Sequence, residues 1–151
     1  DELFYATPEV ILQHTRVAVV QLPAAAPEAV HGVAHLARAT LRAFLQHREE
    51  DLDVAWNGTD SQIYFVDRHG EAGFARALTS SVLQHTLFWA FEILRSARHD
   101  PDCGARDGCR ACVFGIACHS HGDHPGPSRS AAEALLGQIL GSHASLAPYA
   151  Q

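Results

Sequence analysis

The sequence contains no methionine and no lysine, and all eleven of its basic residues are arginine. Without lysine, the chain cannot form the phosphate loop of ATP-driven motor proteins, whose Gly-x-x-x-x-Gly-Lys-Ser/Thr pattern requires that side chain. An Asp-Glu-x-His motif is also absent from the 151 residues. We therefore expect this chain by itself not to hydrolyse ATP and not to act as an enzyme.

The sequence also lacks any apolar run near the roughly 20 residues that a membrane-spanning helix needs, so we expect no membrane partner. Its formal net charge of −6 is unfavourable for a domain that binds duplex nucleic acid unaided. A chain of this length can bury about two thirds of its unfolded surface as a single domain over residues 1–151. Because the sequence starts at Asp1-Glu2 without methionine, we expect it to be a piece of a longer protein.

Cysteine is missing everywhere except in the segment 103–118, which contains Cys103, Cys109, Cys112 and Cys118. Two residues separate the central pair, and five residues separate each outer cysteine from that pair. This spacing brings four sulfurs round one small loop. We predict one structural zinc ion held by four thiolates, which leave no open coordination position for catalysis.

Several alternatives to the four-thiolate zinc site remain. Two disulfides are disfavoured because no signal-like segment is present and no distant cysteine exists to be joined. A redox dithiol would be expected at a strand-to-helix junction without two further cysteines beside it. A zinc hydrolase with a carboxylate such as Asp123 requires one cysteine to leave the metal. The histidines that could replace a cysteine as ligand are His99, His119, His121 and His124.

The residue patterns predict an α+β fold, with a small, mostly antiparallel sheet packed by two long helices, a four-cysteine zinc loop and a C-terminal helix. The Asn57-Gly58 pair predicts a hairpin between the second and third strands. The predicted strands cover residues 16–22, 51–56 and 62–67. The predicted helices cover residues 26–47, about 73–98 and 128–140, the last capped by Ser128 or Ser130.

Two further features of the sequence have a structural and a functional interpretation. His31 and His35 lie one helical turn apart on the side opposite the apolar residues of the first helix, so we expect a solvated face or a contact surface for the parent protein, with a metal-binding pair as the less favoured interpretation. Gly70 and Gly73 precede the second helix and predict a tight turn. An anion site at that helix N-terminus is the less favoured interpretation.

Taken together, the segment 63–73, the long helix, the cysteine cluster and the closing helix resemble the MrfA zinc-binding (MZB) domain. In the first of these segments, a strand ending in Asp67 runs into a glycine turn, as in that family. Residues 108–112 correspond to the family's Gly-Cys-Pro-x-Cys core, with Arg110 in place of proline. The resemblance extends over residues 63–140.

Domains of this family lie at the C-terminal end of superfamily 2 DNA helicases of the MrfA and YprA kind, and in some anti-phage defence proteins. The resemblance implies a structural zinc-binding accessory domain of an ATP-dependent DNA helicase in genome maintenance, which positions motor domains or a DNA strand. Its implied zinc ligands are the four cysteines, and its location is intracellular, in the cytoplasm, nucleoid or nucleus. Residues 1–62 form the N-terminal strand-helix-strand part, and residues 63–142 form the glycine turn, long helix, zinc loop and last helix.

The implied partners are the helicase motor domains of the parent chain and, as a second candidate, DNA. The alternative function is a protein-interaction module of a defence or other multiprotein complex, in which the acidic surface meets a basic partner. The arginines that flank the glycine turn or the zinc loop are the candidate nucleic-acid contacts. They are Arg68, Arg76, Arg106, Arg110 and Arg129.

Overall fold

The computed structural model describes residues 16–45, 51–68, 77–96, 98–114 and 126–141. Its elements in chain order are strand β1 (Arg16–Gln21), helix α1 (Pro27–Leu45), strand β2 (Leu52–Asn57), strand β3 (Gln62–Asp67), helix α2 (Ser80–Ser96), the short helix α3 (Cys103–Arg106) and helix α4 (Arg129–Gly141). The predicted α+β class is confirmed. Within these ranges, no helix combines the length and the apolar character needed to cross a membrane.

The three strands form an antiparallel sheet in the order β1-β3-β2, and the predicted hairpin is confirmed. Asn57 shapes the hairpin turn because its Oδ1 atom accepts the backbone N–H groups of Thr59 at 3.0 Å and Asp60 at 3.1 Å. A Cβ atom on Gly58 would lie 2.6 Å from the Cβ atom of Pro27. The turn therefore packs directly against the start of α1.

Helix α1 lies at the centre of the molecule, between the sheet and the pair formed by α2 and α4. All nine residues from 29 to 37 are buried, as expected for a helix covered on every side. The prediction that His31 and His35 lie on a solvated face is therefore wrong. The ring of Trp56 in β2 stacks on His31, and the carbonyl of Val113 meets the ring of His35.

The hydrophobic core joins α1 to both of its neighbouring layers. Burial of each large apolar side chain stabilises the fold by about 1.5–3 kcal/mol. Gly32 allows α4 to approach α1 closely, since a Cβ atom there would lie 2.9 Å from the Cβ atom of Ala132. The largest fully buried apolar side chains are Phe65, Leu36, Leu41, Leu52, Ile63, Leu94 and Leu136.

Helix α2 begins at Ser80, later than the predicted start near residue 73. Residues 78 and 79 are not helical, and the Oγ1 atom of Thr79 accepts the backbone N–H of Val82 at 3.3 Å as a helix cap. The glycine turn within residues 69–76 lies outside the described residues. Helix α4 begins directly after Ser128, whose hydroxyl accepts the backbone N–H of Ala131 at 3.1 Å, so Ser128 is the cap.

Candidate metal centre

Four side chains with metal-binding atoms meet in the segment 98–114: His99, Cys103, Cys109 and Cys112. Their donor atoms all lie within 4.8 Å of one another. The three cysteines are buried. The sulfur of Cys112 lies 3.9 Å from that of Cys103 and 3.7 Å from that of Cys109, far longer than the roughly 2.05 Å of a disulfide bond. The disulfide alternative therefore fails for these three cysteines, which are free.

The backbone of the loop explains why these sulfurs point inward. Helix α3 ends at Arg106, and the backbone of its C-cap residue Asp107 is left-handed (φ 53°, ψ 40°). The N–H of Gly108 donates back to the carbonyl of Cys103 at 3.0 Å. In the next turn, the carbonyl of Cys109 accepts the N–H of Cys112 at 3.1 Å. The N–H of Cys109 donates to the sulfur of Cys112 at 3.3 Å. The two-residue spacer thus places both sulfurs on the inner side of one turn.

The thiols of the cluster have unequal acidities. Burial is the main cause that raises the pKa of Cys112 to about 11, and the adjacent sulfurs act in the same direction. Burial also acts upward on Cys109, but hydrogen bonds, the largest of them with the backbone of Asp100, outweigh it and lower the pKa of Cys109 to about 6. A divalent cation favours thiolates throughout such a cluster, since metal binding displaces thiol protons. Sulfur and imidazole donors in this arrangement fit Zn²⁺.

The C-terminal end of α2 and the first residue of α4 contact this cluster. Arg129 donates from Nη1 to the sulfur of Cys103 at 3.1 Å and from Nη2 to the carbonyl of Leu94 at 3.2 Å. The Nε2 atom of His99 lies 2.9 Å from the same carbonyl. Because a carbonyl only accepts, Nε2 is the protonated nitrogen in the neutral tautomer of His99 that fits this contact, and in that tautomer the lone pair of Nδ1 faces the sulfurs. The guanidinium of Arg129 stabilises negative charge on Cys103.

Asp107 fastens the start of α4 to the metal loop. Its Oδ1 atom accepts the backbone N–H of Ser130 at 2.8 Å, and its Oδ2 atom accepts the hydroxyls of Ser128 and Ser130. Burial alone would raise the pKa of Asp107, but these hydrogen bonds outweigh it and hold the pKa below its ordinary value. The carboxylate is therefore ionised at neutral pH, as suits a group at a helix N-terminus.

A buried histidine pair joins α1 to the same loop. The Nδ1 atom of His35 donates to the carbonyl of Val113 at 2.8 Å. Its Nε2 atom lies 3.1 Å from Nε2 of His31, and a neutral His35 accepts a hydrogen bond there. Burial is the main cause that lowers the pKa of His35, and the charges of His31 and Arg38 lower it as well. The imidazole of His35 is accordingly neutral at pH 7.

Three of the four predicted ligands, together with one of the named substitutes, form the cluster. These are Cys103, Cys109, Cys112 and His99. The four-cysteine ligand set stays a prediction, because its last member is not described. The predicted site residues that lie outside the described ranges near this loop are Cys118, His119, His121, Asp123 and His124.

Two of the predicted nucleic-acid contacts, Arg106 and Arg110, lie on the exposed side of the metal loop. The Nη2 atom of Arg106 lies 3.6 Å from a carboxylate oxygen of Asp100. Exposed ion pairs of this kind contribute about 1 kcal/mol or less. Arg106 can therefore exchange this carboxylate for a phosphate at little energetic cost.

The other three predicted nucleic-acid contacts differ in their surroundings. The Nε atom of Arg68 lies 3.2 Å from a carboxylate oxygen of Asp53, and both side chains are about half exposed. Arg129 contacts the sulfur of Cys103. Arg76 lies outside the described residues. The nucleic-acid role of all five arginines stays a prediction.

Sequence patterns did not identify Asp107 and His35 as parts of the site. For Asp107 a signal was present, because an Asp-Gly pair marks a turn and Gly108 follows it. For His35 no local signal exists, since its partner Val113 is 78 positions away along the chain.

Comparison with known protein families agrees with this geometry. The sequence model of the MrfA Zn-binding domain (MZB) matches residues 33–113. The matched segment begins inside α1 and ends one residue after Cys112, so it contains all four donors of the cluster. No curated protein and no solved structure matches the chain.

Proposed function

Because this chain belongs to the MrfA Zn-binding domain (MZB) family, we propose that it is the zinc-stabilised accessory domain of an ATP-dependent DNA helicase in genome maintenance. The parent protein supplies ATP hydrolysis, and this domain positions the motor domains or a DNA strand. The proposed zinc ligands are Cys103, Cys109 and Cys112, completed by His99 or by Cys118. Bound zinc supplies a tetrahedral crosslink with no open coordination position.

The observation that carries a structural role for the metal is the convergence of three helices on its site. Helix α2 contributes the carbonyl of Leu94, and α4 contributes Arg129. Helix α1 reaches the loop through the hydrogen bond from His35 to Val113. A cation at this position fixes the loop that these three helices contact, and its binding energy becomes folding energy. The result is a stiff surface that motor domains can use as a support.

The exposed side of the metal loop supports an auxiliary contact with a DNA strand. Arg98, Arg106 and Arg110 are exposed there, and 37% of the surface of Phe114 is accessible. Guanidinium groups pair with phosphates, and an exposed aromatic ring can stack on an unpaired base. The net charge of −6 opposes tight binding by this domain alone, which fits a contact made beside a motor.

Fluorescence anisotropy of the zinc-loaded chain with single-stranded and forked DNA, at low and moderate salt, tests this contact. We expect the affinity to fall as salt rises. The double variant Arg106→Gln, Arg110→Gln should bind less tightly and reduce the salt slope on single strands by about 1.4, for two lost phosphate contacts. Arg42→Gln, an exposed position on α1, is the matched control. Equal binding by both variants would contradict a DNA contact at the loop.

A second candidate function is a protein-interaction module of a defence or other multiprotein complex. The net charge of −6 favours a basic partner, and Trp89 on α2 is 49% exposed. In this case the zinc-loaded chain binds no DNA at either salt concentration, and Trp89→Ala weakens its association with the partner polypeptide.

A further inference from the structure

We propose that the metal centre is a three-cysteine, one-histidine site in which Nδ1 of His99 is the fourth ligand, rather than the sulfur of Cys118. This inference rests on the zinc-binding role proposed above and specifies its ligand set. Three independent features of the described cluster support it: the spacing of the donor atoms, the tautomer of His99 and the charge around the site.

Four of the six distances between the donor atoms match the edges of a zinc tetrahedron. Zinc–sulfur bonds of about 2.3 Å and zinc–nitrogen bonds of about 2.0–2.1 Å at tetrahedral angles give edges of about 3.8 Å between sulfurs and about 3.6 Å between sulfur and nitrogen. The sulfur of Cys112 lies 3.9 Å from that of Cys103 and 3.7 Å from that of Cys109. The Nδ1 atom of His99 lies 3.6 Å from both Cys103 and Cys109 sulfurs. Four of the six edges therefore match.

The hydrogen bond on the far side of the His99 ring selects the tautomer that a ligand needs. The carbonyl of Leu94 accepts the N–H of Nε2 at 2.9 Å, so in the neutral ring Nδ1 is the nitrogen without a proton and presents its lone pair to the sulfurs. Histidines that bind metals usually donate their other ring N–H to a carbonyl or carboxylate in this way. The Leu94 carbonyl is held in turn by Nη2 of Arg129 at 3.2 Å.

The charge around the cluster also matches three thiolates better than four. A zinc ion with three thiolates and a neutral imidazole carries one negative charge, whereas four thiolates give two. Arg129 places one guanidinium against the sulfur of Cys103, at 3.1 Å. Within the described ranges, the charge of this guanidinium balances that of the three-cysteine, one-histidine centre. Such balance favours keeping the centre buried, because an unpaired buried charge is costly.

X-ray absorption spectroscopy of the zinc-loaded wild-type chain tests the ligand set without any substitution. We expect a first shell of three sulfurs and one nitrogen. A shell of four sulfurs would overturn the proposal while leaving the zinc-binding role intact. A chain that takes up no zinc would instead overturn the zinc-binding role itself.

Cobalt substitution in two variants gives a second, independent readout. With Cys118→Ser, we expect one cobalt per chain and the same thiolate-to-cobalt charge-transfer intensity as in the wild type. With His99→Gln, we expect at least tenfold weaker metal binding and a shifted ligand-field spectrum. Loss of charge-transfer intensity in Cys118→Ser, together with an unchanged spectrum in His99→Gln, would assign the fourth position to Cys118.

Discussion

Arg129, the first residue of α4, donates from its Nη1 atom to the sulfur of Cys103 at a distance of 3.1 Å. The two residues are 26 positions apart, so the contact connects the beginning of the metal loop to the beginning of the last helix. The same side chain reaches the carbonyl of Leu94 near the end of α2. One guanidinium thereby joins two helices to the metal centre.

Replacing Arg129 by glutamine should weaken zinc binding about 10- to 100-fold, because the thiolate of Cys103 loses its positive partner. Arg129→Lys should lie between the glutamine variant and the wild type, since lysine keeps the charge but cannot form the two-pronged contact. Competition with a chromophoric chelator measures the affinity. Arg98→Gln is the matched control, because Arg98 is exposed and lies in the segment 98–114 that contains the metal ligands. An equal effect of both glutamine variants on zinc affinity would contradict the role of Arg129.

Alanine at Gly32 should destabilise the fold by about 1–3 kcal/mol through overpacking. A Cβ atom there would lie 2.9 Å from the Cβ atom of Ala132 and 3.0 Å from the carbonyl oxygen of Ser128, and neither atom is at the end of a flexible side chain. Alanine at Gly137 in α4 meets only ring carbons of Phe91 at 3.8 Å. That variant should be more stable against unfolding than the wild type by about 0.4–1 kcal/mol. Urea unfolding measures the change in unfolding free energy for both variants. Changes of the same sign would refute the close contact between α1 and α4 at Gly32.

The buried His35 should make stability fall in mildly acidic solution. Its pKa in the folded protein lies below the ordinary value of 6.5, mainly because of burial. As pH falls below that value, the unfolded chain takes up the proton first, so unfolding becomes easier until the lower folded pKa is reached. The expected loss is at most about 1.4 kcal/mol per pH unit within that window.

His35→Asn removes this titration and retains an N–H donor for the carbonyl of Val113. The difference in unfolding free energy between wild type and variant, measured from pH 8 downward, cancels the effect of zinc loss that both share. We expect a constant difference at high pH and a shrinking wild-type advantage below about pH 6.5. A difference that stays constant throughout would show that His35 does not titrate on unfolding.

Removing the side chain of Asp107 should detach the start of α4 from the metal loop. Asp107→Gly is the suitable variant because glycine adopts the left-handed backbone at this position without strain. We expect a loss of about 1–2 kcal/mol, the usual effect of losing a helix cap. Asp102→Gly is the control, since Asp102 makes no capping hydrogen bond to α3. Thermal unfolding of the two zinc-loaded variants should separate them clearly, and identical midpoints would count against the role of Asp107.

Local signals in the sequence were sufficient for most of the secondary structure. The Asn57-Gly58 pair located the hairpin, and the β-branched and aromatic pattern of residues 62–67 located β3 with its observed bounds. Ser128, one of two candidate caps, marks the start of α4. Each of these features depends on contacts within a few residues, which is the range over which residue type determines backbone geometry.

The features that the sequence did not reveal depend on contacts between distant elements. The helical pattern predicts a solvated face or a contact surface at His31 and His35, because periodicity alone does not show that Trp56 and Val113 cover that side of α1. The position of Arg129 beside the zinc loop predicts a DNA contact, but position in the chain does not reveal that its side chain meets the sulfur of Cys103.

Metal content by elemental mass spectrometry, combined with hydrogen exchange before and after chelation, tests most directly whether zinc organises this domain. We predict one zinc per chain, and a large increase in exchange after chelation at the end of α2, in the 98–114 segment and at the start of α4. The β2-β3 hairpin should keep more of its protection, because its turn is closed by its own hydrogen bonds. A metal-free protein, or protection that chelation does not change, would contradict a zinc-organised fold.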